Sequence, residues 1–386
     1  MTKKVVLSML GIVLLIGIFT LKRSNKDLGF GPRGSDQALP QNSPAVTRGG
    51  HSGIASGGAP DSMPAEPTSV TPFNPDSEFN RIATLPESSR QVAKNAYFTN
   101  LMQHFAQHPD VLPAARDYVL ALPRETAEYD DKITLIISAM GNQGSAAADA
   151  VLRELLAQAT PDQEIITFQS AISLGSHLVP SLASISTLWN AYQMESLSIE
   201  TRSAALAAMG AAASHWPADQ TGDVVEKLQA LSLSPSRQLA SIALSAMGNH
   251  GHAGYEEGLR NLLKETNDPY LRSEAILTLA KVAPKAALDT LVELAISEPS
   301  ADARLSAARS LELLEPSEAA LEKVRAVYSR SDDRSVREAL LTALARLGRD
   351  ALPLLASSLD DLARGETDEH LRSLAASYAR SAQQSR

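Results

Sequence analysis

The feature that most limits how this chain can fold is a recurrence. With the glycine of ITLIISAMG set as a column at Gly141, the chain falls into register at Gly175, Gly210, Gly248, Ala280, Glu312, Ala345 and Arg380. The spacings are 34, 35, 38, 32, 32, 33 and 35 residues. A period in that range is the length of one helix–turn–helix unit. A pair of helices that short cannot cover its own apolar face, so each unit needs the one before and the one after it.

The residues around the column carry the pattern. One position before it stand Met140, Leu174, Met209, Met247, Leu279, Leu311, Leu344 and Ala379; four before it stand Ile137, Ala171, Leu206, Leu244, Ile276, Ala308, Leu341 and Ala376. Three residues apart on a helix, these share one face. Five before the column the residue is small in six units: Ser170, Ala205, Ala243, Ala275, Ala307 and Ala375. A small side chain there lets a neighbouring helix approach. Glycine in the column itself suits the left-handed residue just past a helix end, so SAMGN reads as a C-cap and a turn. By this reading SAMGNQG at Ser138 and SAMGNHGH at Ser245 are one mechanical joint used twice, not a ligand loop.

Eight before the column, five units carry Arg202, Arg272, Arg304, Arg337 and Arg372. Asp268, Asp333 and Asp368 stand four residues ahead of three of them, placed to cap the first helix and face the arginine one turn on. Exposed pairs of that kind contribute about 0.3–0.5 kcal/mol each, against about 1.5–3 for one buried leucine. Stacked apolar faces therefore carry the array. Second helices follow each turn as AADAVLRELLAQA, SLASISTLWNAYQ, GDVVEKLQAL, YEEGLRNLLKE, AALDTLVELAIS, AALEKVRAVYS and LPLLASSLDDLA. Two leading helices precede them, over Ser88–His108 and Val111–Leu122. Only 4% of the residues are aromatic, which favours helices over a sandwich or barrel.

Ahead of this body, Lys3 and Lys4 introduce VVLSMLGIVLLIGIFTL, Val5 to Leu21, an uncharged run closed by Lys22 and Arg23. Seventeen residues at 1.5 Å each cover about 25 Å, enough to cross a bilayer core with basic ends snorkelling. Residues 1–23 read as a retained membrane anchor; the competing reading, a cleaved signal peptide, expects a shorter apolar region and a small-x-small site, where this run ends IFTLKRS. Lys22, Arg23 and Lys26 offset Lys3, Lys4 and the amino terminus, so charge alone does not choose an orientation. The tail before the anchor is too short to hold a domain. The body is therefore expected on the extracytoplasmic side, the periplasm in a Gram-negative cell. Residues 24–80 hold eight prolines and eight glycines among polar residues, and read as a disordered linker setting the body about 40–45 Å from the membrane. Its glycines, Gly49, Gly50, Gly53, Gly57 and Gly58, lack the lysine and following helix of a phosphate loop.

DPYLRSEAILTLAKVAP, with its acidic cap, arginine, small–apolar alternation and turn, resembles a HEAT repeat of the PBS-lyase HEAT-like type, and similar units run from about Tyr129 to the C-terminus. The resemblance implies an all-α fold: an α-solenoid of HEAT-like hairpins over residues 81–386, preceded by one transmembrane helix and a linker. The order SAMGNQG, TRSAALAAMGAAASHW, ALSAMGNHGHAGYEEGL, LRSEAILTLAKVAPKAALDTL also resembles the α-helical superhelix of vitellogenin-type large lipid transfer proteins. That second likeness implies lipid carriage, but the strand-rich segments that line the lipid cavity of that family are missing here. Phycobilin lyases share only the repeat, which brings no catalytic residue with it.

Composition removes several chemistries. The net charge of −9 falls mostly in the C-terminal three-quarters, so a broad nucleic-acid surface is excluded. There is no cysteine, hence no disulfide, thiolate nucleophile or Zn-thiolate site. His104 and His108 have the spacing of helical metal ligands, but Phe105 stands where a zincin has glutamate. His250 and His252 read as a solvated turn. HEAT-type hydroxylases bind iron through His-Glu dipeptides; none occurs, and Glu369-His370 runs in reverse order. No GxSxG elbow is present, and Trp189 and Trp216 read as core rather than binding platform. No catalytic, cofactor or metal residue is assigned. The expected function is a membrane-tethered scaffold that binds a protein partner without catalysis; the alternative is an envelope carrier of lipid or another apolar ligand. If the helical wall is concave, the expected binding surface lies on the second helices, at Asp149–Gln158, Asp223–Leu231, Tyr255–Lys264 and Asp289–Ser297.

Overall fold

The computed structural model describes residues 73–126, 128–158, 160–348 and 352–384, all within the second of two units that divide at Pro67 and Thr68. The expected anchor (1–23) and the linker up to residue 72 lie outside the described residues. Among those described, all regular structure is helical, and no helix is long and apolar enough to cross a membrane. The body begins with α1 (Asp76–Ala83), α2 (Glu87–Gln107) and α3 (Leu112–Ala121). Eight first helices follow: α4 (Tyr129–Gln143), α6 (Glu164–Ser176), α8 (Ile199–Ala213), α10 (Arg237–His250), α12 (Pro269–Val282), α14 (Ala301–Ser310), α16 (Arg334–Leu347) and α18 (Glu369–Gln384). The second helices alternate with them as α5 (Ala146–Gln158), α7 (Leu182–Gln193), α9 (Gly222–Ser232), α11 (Glu256–Glu265), α13 (Leu288–Ser297), α15 (Glu318–Tyr328) and α17 (Leu352–Gly365). Helix α1 corrects the linker boundary: Phe79 and Ile82 are buried and Phe73 packs on Phe105, so folded structure starts before residue 80.

Each hairpin is built from local signals. Ser198, Ser236, Asp268, Ser300 and Asp333 cap first helices by accepting from first-turn amides, and Pro269 occupies the first-turn position where a missing N–H costs nothing. The residues one, four and five before the column are buried, apart from half-buried Ala376, along a core that runs through the stack. First helices pack on their neighbours in the first row and on the second helix that precedes them, which leaves one side open.

The column glycines are not C-caps. Gly141, Gly175, Gly210 and Gly248 lie inside their helices. The left-handed caps are Gly144 (φ 77°) and Gly251 (φ 67°), three residues further along. The column glycine meets instead the residue two before the column in the next unit. A Cβ on Gly141 would stand 2.8 Å from that of Ser173, a Cβ on Gly175 2.7 Å from the Cα of Ala208, and one on Gly210 would collide with the Ala246 carbonyl. Successive first helices thus touch backbone to backbone. In the next unit Thr278 occupies the same position and donates to the Leu244 carbonyl at 3.0 Å.

The arginine position also differs from expectation. Asp268 and Asp333 do cap their helices, but their carboxylates, turned toward the first-turn amides, do not reach the arginine one turn on. They pair with the preceding unit instead: Arg237–Asp268 at 3.3 Å and Arg304–Asp333 at 3.6 Å, with Arg334–Asp368 at 3.2 Å. The arginines themselves close the C-terminal ends of the second helices, whose last carbonyls have no helical partner. Arg202 donates to Tyr192 O at 2.8 Å, Arg272 to Leu263 O and to Thr266 O, and Arg304 to Glu298 O at 2.7 Å. Arg272 and Arg337 further bind the buried carboxylates of Glu298 and Glu366.

Candidate interaction surface

The two helical rows are spaced differently. First helices α4, α6, α8 and α10 meet through glycine, whereas second helices are bridged by long side chains: Arg116 to Glu154, Arg260 to Thr290, Lys323 to Asp289, and Arg325 to Asp361 at 3.4 Å. The first helices thus form the tighter row, and the surfaces expected on the second helices, from Asp149–Gln158 to Asp289–Ser297, form the wider one.

On the open side of the first helices stand the positions three and six before the column and one after it. In the first four units none of these is charged: Leu135, Ile172, Ala204, Ala207, Ala211 and Ile242 are half-buried there, beside polar Asn142, Gln169 and Asn249. Further along four of them are charged, Glu274, Lys281, Arg309 and Arg346, joined by Glu312 from the column itself. Leu277 and Leu313 lie among them with 37% and 36% of their surface exposed.

Loss of hydration pushes the Glu274 carboxyl up, partly offset by Lys281; it pulls the Lys281 ammonium down, partly offset by Glu274; and it pushes Glu312 up against the pull of Arg346 and Arg309. Yet Lys281 is exposed, and Glu274 and Glu312 are only half-buried.

The other polar clusters are structural. His250, expected in a solvated turn, is buried: its Nδ1 lies 2.7 Å from the Tyr255 hydroxyl and its Nε2 3.2 Å from Thr221 Oγ1. Burial, and then His252, pull its pKa down to about 4, so it is neutral. Both ring nitrogens are engaged, which leaves none for a metal. The His252 ring accepts from Gly254 N at 2.9 Å and caps a short turn. His104 and His108 stack with centroids 5.0 Å apart, and among the described residues no three potential metal ligands converge. Asp149, His177, Ser181 and Ser184 are the residue types of a hydrolase, but both serines donate to Asp149 rather than to the histidine. That wiring seals a turn and activates no nucleophile. Burial pushes the Asp149 carboxyl up, but the Ser184, Ser181 and Arg153 bonds outweigh it and hold it below its ordinary range. Trp216 donates to Pro180 O at 3.0 Å and Trp189 packs against the core, so neither forms a platform.

Residues 225–312 match the family model described as HEAT repeats, and the hairpins on either side repeat the same register. A solved structure of human deoxyhypusine hydroxylase in complex with glycerol is similar over 70% of this chain and 95% of its own, at 18% identity and a TM-score of 0.29. No curated protein sequence matches.

Proposed function

We propose that this HEAT-repeat array is a non-catalytic scaffold, tethered to a membrane by residues 1–23, whose first-helix face holds another protein. One observation carries the reading. Among the described residues Glu274, Lys281, Arg309, Glu312 and Arg346 make no hydrogen bond or ion pair and answer one another only at longer range, while the arginines eight before the column and the capping aspartates are engaged within the stack. Charges left without a close partner on an open face suit a surface completed by another protein. The linker lets a tethered body search the space near the membrane and raises its local concentration there. Export of the body to the extracytoplasmic side is part of the same proposal.

The test places a photo-crosslinking residue at Leu277 or Ser245 on the first row, and at Glu322 on the second, in the full chain in its own membranes. Specific capture of a protein from the first row and not the second is expected; equal or absent capture from both rows ends the reading. A second reading, carriage of a lipid or other apolar ligand, is favoured by the apolar open face of α4 to α10. It requires delipidated protein to take up a fluorescent fatty acid and to release it when Ile172 and Ile242 are changed to Asp.

A further inference from the structure

The last four units place one cation each along a single stripe of the first-helix row. Lys281 and Arg346 stand one residue after the column, Arg309 one helical turn before that position, and Arg380 in the column itself. None of the four makes an ion pair among the described residues, although the chain as a whole carries a net charge of −9. Cations near helix C-termini are favoured by the helix dipole, and this is the plainest account of such a row. Glu274 lies near Lys281, and Glu312 near Arg309 and Arg346, so with Arg380 the stripe keeps four cations against two carboxylates.

We propose that this row receives an extended acidic segment of the partner protein, with carboxylates facing Lys281, Arg309, Arg346 and Arg380 and apolar residues seated on Leu277 and Leu313. The proposal rests on the scaffold reading above and assigns its partner's chemistry. Neighbouring helices lie about 8–10 Å apart, and an extended chain advances about 3.3 Å per residue, so one carboxylate in three residues matches the row. The interleaved Glu274 and Glu312 select against a nucleic acid, which carries a phosphate at every step and would press charge onto both. A polypeptide can leave those positions uncharged.

The experiment uses the full chain in detergent and a fluorescein-labelled peptide with glutamate at every third position and leucine and serine between. Saturable binding is expected, weakened by salt and lowered about tenfold or more by R309E/R346E. The reversal of exposed Lys264 on the second row, K264E, should leave it unchanged, and helical circular dichroism should show both variants folded. No peptide binding, or binding indifferent to R309E/R346E in a folded protein, overturns the proposal. So does row-dependent binding of a single-stranded oligonucleotide or of phosphatidylserine vesicles in preference to the peptide. If crosslinking from Leu277 captures a protein and R309E/R346E leaves that capture intact, the acidic-segment proposal fails while the scaffold stands. If no first-row position captures anything, the scaffold itself fails.

Discussion

The first four units and the last four reach the same stacked hairpin by different means. In α4 to α10 the column is glycine and the helices touch by removal of side-chain volume, with carboxylates answered by hydroxyls and an amide: Asp149 by the Ser181 and Ser184 hydroxyls, Glu164 by the Ser198 amide and the Thr201 hydroxyl. In α12 to α18 the column is Ala280, Glu312, Ala345 and Arg380, and carboxylates are answered by arginines, Glu298 by Arg272 and Glu366 by Arg337. Steric fit and charge pairing are thus interchangeable solutions to one packing problem, and they fail differently.

The largest expected effect breaks the charge-held half. Arg337→Met strands the Glu366 carboxylate, which is buried beside the Tyr328 hydroxyl, and should cost about 3–5 kcal/mol by denaturant unfolding. Replacing both partners by apolar residues should recover part of that loss; an undiminished loss in the double variant would show that the pair matters for more than avoided desolvation. Next comes the glycine-held half. Gly210→Ala forces a methyl into the Ala246 carbonyl and should cost about 1–3 kcal/mol. The converse change, Ala280→Gly, removes one buried methyl without creating a clash and should cost about 1–2 kcal/mol from helix propensity and lost burial. If Gly210→Ala proves as mild as Ala280→Gly, the two halves are not packed differently. Asp268→Ala removes a cap that accepts from Tyr270 and Leu271 and an inter-unit pair with Arg237, and should cost about 1 kcal/mol.

The smallest effect is acid response. Burial pushes Glu366 up, but the bonds from Tyr328, the Asp368 amide and Arg337 outweigh it and hold the carboxyl low; Asp149 is likewise low. Such groups bind fewer protons folded than unfolded, so their stabilisation is complete above the unfolded carboxylate pKa and is lost as pH falls below it. Glu274 and Glu312 are pushed up, and they give the opposite sign: stability gained as pH falls through their folded values. Hydrogen exchange measured helix by helix should therefore show α12 and α14 holding their protection in weak acid better than α4 to α8. Equal decline across the array would remove this distinction.

Much of this was legible beforehand. The eight columns, the hairpin order and most of the buried positions follow from a period the length of one helix–turn–helix unit. The role of the glycine was misread because a capping glycine and a packing glycine look alike in a single unit. A signal was present: SAMGNQG and SAMGNHG each carry a second glycine three residues on, while SLGSHLVP and AMGAAASHW do not, so the shared first glycine could not be the cap in all four. The burial of His250 depends on Thr221, 29 residues earlier, a contact no local pattern encodes. The arginine partners were nearer the surface of the text, since Glu298 and Glu366 each stand two residues before a capping Ser300 or Asp368. The difference in spacing between the two rows was not readable, because it arises from contacts between units rather than from any residue alone.

A joint made of bare backbone has no side chain that can change rotamer to absorb a displacement. Where Gly141, Gly175 and Gly210 meet their neighbours, a shift of one hairpin must carry the next with it, and that stretch moves as a stiff plate. The arginine-held stretch is linked by long, jointed side chains and can alter its pitch. A guest lying along Lys281 to Arg380 would thus tune the curvature of its own seat while the plate upstream keeps its form.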